Sequence, residues 1–321
     1  MTTRLMVTGS SGFVGGHLVK MLAEDSCYEL CALVRRLPEH PVGGVDYQVL
    51  ADFLSLPPHY SGFRGVEAVI HLASRVHVMN ELSLDPLAAF RQVNVEQTVL
   101  LARSAAAAGV KRFVFISSVK VNGEHTKPGQ PYLETDLASP SDPYGVSKLE
   151  AEEALRVVAA ETGLEVVILR PVLVYGAGVK ANFETMMKWV KRGIPLPFGA
   201  IENLRSFVAI ENLISLVVMC IEHPAAANQT FLISDGEDVS TTELLRRLAR
   251  ALNVKDRLIP VPGKVLSATA ALLGKPALAQ RLCGSLQVDI SKARTLLNWT
   301  PVVTLDQALD VTARHFLAEK N

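Results

Sequence analysis

Tyr144 and Lys148, in the run Tyr144-Gly145-Val146-Ser147-Lys148, stand at i and i+4 and share one face of a helix. A phenol with an ordinary pKa of about 10 is a poor base near neutrality, so an ammonium beside it must favour the phenolate, and the pair has a geometry for proton transfer. The same two residues also suit a half-buried tyrosine beside a solvated lysine. A second run, Thr8-Gly9-Ser10-Ser11-Gly12-Phe13-Val14-Gly15, follows an apolar stretch and opens a helical one. Small residues there let backbone N–H groups approach a pyrophosphate at the positive end of a helix. The spacing of Gly9, Gly12 and Gly15 is G-x-x-G-x-x-G rather than G-x-G-x-x-G, and such a triplet also serves a tight turn without a ligand.

Elements able to position these residues alternate through the first half. Short β-branched or apolar runs at 5–8, 30–34, 68–72, 113–117 and 166–169 are separated by helix-length segments, among them 87–108, stopped by Gly109, and 150–162, closed by Gly163. That alternation predicts an α/β fold with a Rossmann-like, doubly wound parallel sheet. After about Pro171 it gives way to loops such as 191–199 and helices at 210–222 and 241–252. Two regions are therefore expected: a nucleotide-binding domain over 1–171, to which later segments can return, and a smaller lobe over 172–321.

The 321 residues are 49% hydrophobic and 20% charged, a globular composition. Thirty-two basic residues cancel thirty-two acidic ones without a basic block, which argues against a nucleic-acid partner. Four cysteines, Cys27, Cys31, Cys220 and Cys283, form no C-x-x-C pair, so neither a disulfide framework nor a metal site is expected, and the cytoplasm is the expected compartment. The strand-like start at Arg4, and apolar runs short of about 18 residues, disfavour secretion and membrane spanning.

Together the glycine turn and the Tyr144/Lys148 pair resemble the extended short-chain dehydrogenase/reductase family, in its nucleotide-sugar epimerase, dehydratase and reductase branch. The likeness extends through Val93-Asn94-Val95, Ile116-Ser117-Ser118, Arg170-Pro171, Val174-Tyr175-Gly176 and Asp289-Ile290-Ser291-Lys292-Ala293. It implies that Tyr144 is the acid/base, that Lys148 holds the nicotinamide ribose and lowers the Tyr144 pKa, and that Ser118 bonds the reacting oxygen. Ser117 is adjacent, and matching back from Val121-Asn122-Gly123 selects Ser118; Asn122 stands where the family often has tyrosine. Asn94 matches the family's helix-bending asparagine, with helix capping or plain exposure as the alternative. Family members that dehydrate a 4-keto sugar carry an Asp-Glu pair after this serine; Val119 and Lys120 occupy those places, so 4,6-dehydration is not expected.

For the cofactor, the resemblance points to Gly9, Ser11, Gly12, Phe13, Val14 and Gly15 in the turn, Asp52 and Phe53 near the adenine, and Ala73, Asn94 and Pro171 about the remainder. NAD-selective relatives end the second strand on an acid that binds the ribose hydroxyls. Here the run is Leu33-Val34-Arg35-Arg36, and two guanidinium groups suit a 2′-phosphate, so NADP(H) is preferred over NAD(H). The alternative is that Arg35 and Arg36 are solvated loop residues. For the substrate, the resemblance suggests Asn182 on the sugar diphosphate, Arg205 as a phosphate clamp, Phe198 near the uracil edge, and Lys120 either toward the sugar or on the surface. His71 and His77 read as structural.

The expected activity is an NADP(H)-dependent reductase acting at C4 of a UDP-linked 4-keto-6-deoxy-N-acetylhexosamine, of the type used for surface polysaccharides. The alternative is a UDP-hexose 4-epimerase holding NAD, and a third reading is a non-catalytic NADP sensor on the same fold. Family dimers pair helices corresponding to 87–108 and 144–162, which makes a homodimer a further expectation.

Overall fold

Alternation of side chains splits each strand of the main sheet between two apolar layers. In β1 (Thr3–Thr8), Leu5 and Val7 enter one core and Met6 the other; in β2 (Tyr28–Val34), Leu30 opposes Cys31 and Leu33. The computed structural model describes residues 2–57, 59–76, 85–272, 274 and 276–319. Helices α1 (Phe13–Ala23) and α6 (Ile210–Glu222) supply the first core. The second is filled by α3 (Gln97–Ala107) and α4 (Pro143–Thr162). Burial on both faces is what a parallel sheet requires, and it explains why these strands read as nearly continuous apolar runs.

The sheet has seven parallel strands in the order β3-β2-β1-β4-β5-β6-β9, with β3 Val45–Val49, β4 Ala68–His71, β5 Arg112–Ile116, β6 Glu165–Pro171 and β9 Thr230–Ile233. From β1 the chain moves outward to β2 and β3, then returns to the other side of β1 as β4. The carboxyl ends of β1 and β4 therefore flank a topological switch point, where open α/β sheets bind ligands.

The five strands expected from sequence are β1, β2, β4, β5 and β6. Two others lie outside that reading: β3, where Asp46 and Gln48 interrupt an edge strand, and β9, only four residues long. The single helix expected over 87–108 is α2 (Pro86–Arg91), a π-helical turn (Gln92–Glu96) and α3 in succession. The helix expected over 150–162 already begins at Pro143, because Asp142 caps it and proline suits a first helical position.

Past residue 171 the chain divides. α6 and β9 complete the main sheet, while β7 (Leu173–Tyr175), β8 (Arg205–Ala209) and β10 (Asp238–Val239) form a small sheet ordered β10-β8-β7. Around it α5 (Ala181–Lys191), α7 (Thr241–Ala251) and the helix Leu305–Ala318 enclose a third core that includes Tyr175, Phe183, Phe207, Leu248 and Phe316. Among the described residues no helix is long and apolar enough to cross a membrane.

Candidate active site

The glycine turn lies at the switch point. Gly9 has φ +72°, and a Cβ there would stand 2.6 Å from the Ala73 nitrogen; one on Gly15 would stand 2.1 Å from the Gly9 carbonyl oxygen. Both positions therefore exclude larger residues, the first by conformation and contact and the second by contact with backbone. Gly12 is the N-cap of α1, its N–H donating to the Gly9 carbonyl at 3.0 Å, and no side chain caps the helix. Among the described residues no side chain accepts from the first-turn N–H groups of α1, at the positive end of an eleven-residue helix, a cradle that fits a pyrophosphate.

Across the turn, Tyr144 and Lys148 project from the start of α4. The Tyr144 ring meets Phe90 edge-on with centroids 6.1 Å apart, and its phenol has the hydroxyls of Ser118 and Ser74 as hydrogen-bond neighbours. Burial, and next the Asp142 carboxylate, push the Tyr144 pKa up to about 12, against the pull of the two serines. Lys148 is 1% exposed, and its Nζ lies 4.1 Å from the centroid of the Phe115 ring. Burial pulls its pKa down to about 7, with Glu152 opposing. Among the described residues Nζ makes no hydrogen bond. A buried amine with three donors and only a ring face to meet is poised for acceptors such as ribose hydroxyls.

The two adjacent serines have different fates. Ser117 turns inward and donates to Glu152 Oε1 at 2.6 Å, whereas Ser118 caps the 3-10 turn Val119–Val121 and stands beside Tyr144. Glu152, fully buried, also accepts from Arg170 at 2.9 and 2.6 Å and from Arg156 at 3.0 Å. Arg170 in turn donates to Asn122 Oδ1 at 3.0 Å, and Asn122 donates to the Leu133 carbonyl at the same distance. Asparagine in the place of the family tyrosine therefore closes the turn by joining this buried network. Such a network ties α4, β6 and the strand end that carries Ser118 into one block.

Asn94 occupies the π-helical turn, buried, and caps no helix. It accepts from the Ser74 hydroxyl at 2.9 Å and the Arg75 N–H at 2.8 Å, and it donates to the Arg75 carbonyl and to the Ser147 hydroxyl. Its amide bolts the loop after β4 to α4, which fixes Ser74 against Tyr144. Ser74, Asp142 and Glu152 were not singled out from sequence. Only Asp142 carried a local signal there, the Asp-Pro start of a helix.

Arg35 and Arg36 follow Val34 at the end of β2, exposed, and among the described residues no carboxylate holds either. Asp52 is exposed and accepts from the Leu54 N–H at 2.9 Å, and Phe53 is buried in the second core. Pro171 ends β6, buried, and Ala73 donates its N–H to the Thr8 hydroxyl at 3.2 Å. Buried His71 shares hydrogen bonds with Thr8 and Thr98 at 2.7 and 2.9 Å and is held neutral, its pKa pulled down to about 3 by burial and by Lys148. His77 lies outside the described residues.

In the smaller lobe, Arg205 opens β8, with Nη1 donating to the carbonyls of Arg281 and Gly284, both at 3.1 Å. Burial lowers its pKa, and among the described residues no carboxylate balances it, so this guanidinium suits an anion such as a phosphate. Asn182 is exposed near the start of α5, and Phe198 packs partly into the third core. Lys120 is engaged elsewhere: its Nζ pairs with Asp142 and, at 3.2 Å, with Glu124.

A profile of the NAD dependent epimerase/dehydratase family matches residues 5–234, most of the chain. The chain belongs to that family. It is an NAD(P)-dependent enzyme by membership. It is 46% identical to a UDP-glucose 4-epimerase of Vibrio cholerae over 326 aligned residues, covering 100% of this chain and 98% of the relative. A GDP-6-deoxy-D-mannose reductase of Pseudomonas aeruginosa is 29% identical, covering 96% and 95% of the two. Among solved structures, UDP-glucuronic acid 4-epimerase from Bacillus cereus in complex with NAD superposes with a TM-score of 0.78 at 21% identity, covering 99% of this chain and 100% of that one. That structural likeness bears on the fold.

Proposed function

We propose that this family member acts at C4 of a UDP-linked hexose and that its net reaction is C4 epimerisation. The observation that carries the reading is the end-to-end 46% identity to a UDP-glucose 4-epimerase, joined to a Ser118, Tyr144 and Lys148 cluster suited to that chemistry. A nicotinamide cofactor, held by the glycine turn before α1 and by the Lys148 Nζ, would supply reversible hydride transfer at C4. Tyr144 takes the proton from O4 as the C4–H bond breaks and the carbonyl forms, then gives it back to O4. Return of the hydride to the opposite face of C4 would give the epimer. The Ser118 hydroxyl orients O4, Lys148 offers its N–H donors to the ribose and, when charged, favours the Tyr144 phenolate. The Arg205 guanidinium holds a phosphate of the nucleotide. Val119 and Lys120 stand after Ser118 where dehydrating relatives carry an Asp-Glu pair, so those two positions supply no carboxylates to remove water across neighbouring carbons.

A second reading has its own support. Arg35 and Arg36, exposed at the end of β2 where an NAD-selective site would carry an acid, favour NADPH and hence net reduction of a UDP-4-keto-6-deoxy-N-acetylhexosamine. The two readings differ in the fate of the cofactor. Incubation with UDP-glucose or UDP-N-acetylglucosamine and substoichiometric NAD should yield the C4 epimer without net change in reduced cofactor. Stoichiometric oxidation of NADPH by a UDP-4-keto sugar, with no epimer formed from either UDP-hexose, would overturn epimerisation and establish the reductase. Cytoplasm is the compartment in which we place either reaction, consistent with four unpaired thiols.

A further inference from the structure

Lys120 stands in the short turn after Ser118 with its Nζ on one oxygen of Asp142, while the other Asp142 oxygen accepts from the Gly145 N–H at 2.7 Å as the N-cap of α4. One carboxylate thus serves the helix and the lysine together, two residues before Tyr144. Turn and helix are pressed close: a Cβ on Gly145 would lie 3.0 Å from the Lys120 carbonyl oxygen. We propose that Lys120 is a positioning residue for the proton chemistry, holding Asp142 in an ion pair at the head of α4 and so setting the charge that Tyr144 faces when its proton leaves. The inference rests on Tyr144 being the acid/base.

The charged groups about Tyr144 come from each element packed against it. Its own helix supplies Asp142 and Lys148, and the turn supplies Lys120 with Glu124 beyond. From the loop after β4 come the Ser74 hydroxyl and Arg75, whose guanidinium sits 5.5 Å from the centroid of Phe90, the ring that meets Tyr144. In α2, Arg91 is paired with Glu150 of α4. Of these, Asp142 is the charge that pushes the Tyr144 pKa upward. A cation seated on Asp142 offsets that push, so a lysine whose Nζ is taken by two carboxylates acts through Asp142 rather than as a free cation toward the sugar.

The test compares Lys120→Met, Lys120→Arg, Asp142→Asn and the Lys120→Met/Asp142→Asn double variant, measuring kcat and KM against pH with UDP-glucose and NAD, or with a UDP-4-keto sugar where the NADPH reaction is the one catalysed. Asparagine keeps a capping acceptor and removes only the charge. Lys120→Met should move the pKa of the kcat profile up by about one pH unit, a loss of about tenfold below that pKa where the phenolate is required, with KM little changed. Arginine should restore the profile, Asp142→Asn should move it down, and the double variant should coincide with Asp142→Asn. An unmoved Lys120→Met profile with a raised KM makes Lys120 a substrate contact and overturns the inference, as do equal shifts of Lys120→Met in the wild-type and Asp142→Asn backgrounds. Turnover by Tyr144→Phe would instead reject the acid/base reading itself. An inactive Tyr144→Phe beside an unmoved Lys120→Met profile rejects this inference alone.

Discussion

Replacing Lys148 with methionine should abolish turnover and at the same time stabilise the cofactor-free fold. The side chain is 1% exposed, and burial pulls its pKa from the ordinary 10.5 down to about 7. Below pH 7 the lysine is charged in both states and the folded state bears the full cost of burying it. Between that pH and 10.5 the folded state is neutral while the unfolded chain still binds the proton, so stability rises with pH by about 1.4 kcal/mol per unit. From pH 7 to pH 9 the wild type should therefore gain roughly 2 kcal/mol from this group, and the methionine variant, similar in length and uncharged, should gain none of it. Other groups that titrate in the interval, including the cysteines, are common to both proteins and cancel in the difference. Tyr144, pushed up to about 12, does not titrate there. Urea unfolding of both proteins at several pH values between these limits measures the difference directly. The variant should be the more stable at pH 7, and its advantage should shrink as pH rises. A constant difference across the range would show that Lys148 is not titrating from a low folded-state pKa, and the argument that its Nζ awaits acceptors would fall with it.

Tyr144→Phe keeps the ring against Phe90 and removes the proton carrier, so cofactor affinity by fluorescence titration should persist while kcat drops by about two to four orders of magnitude. Gly15→Ala places a methyl 2.1 Å from the Gly9 carbonyl oxygen in the unrelaxed turn, so the turn must open; cofactor binding by calorimetry should fall to undetectable while the far-ultraviolet dichroism of the sheet and helices remains. Arg35→Ala should weaken NADPH more than NADH, by about 1.5 to 3 kcal/mol if the guanidinium meets the 2′-phosphate. Equal losses for the two cofactors would transfer that role to Arg36 or remove it from the strand end.

What the sequence determined about this protein is what short-range geometry controls. The i, i+4 spacing of Tyr144 and Lys148 put both on one face of α4, and the position of Gly9, Gly12 and Gly15 between an apolar run and a helical one located the turn between β1 and α1. The apolar runs located five strands, because strands buried on both faces admit little else. Tertiary structure alone decided how polar groups from distant segments meet. It turned Ser117 inward to Glu152 and left Ser118 for Tyr144, a choice that two adjacent hydroxyls of identical chemistry cannot announce. It set Asn94 across a gap of 19 residues onto Arg75 and 53 residues onto Ser147. It also seated Lys120 on Asp142, 22 residues away, where sequence left the lysine facing either sugar or solvent. Periodicity and capping are written in neighbouring residues, whereas the partner of a buried charge is chosen by desolvation, which acts only after the elements have packed.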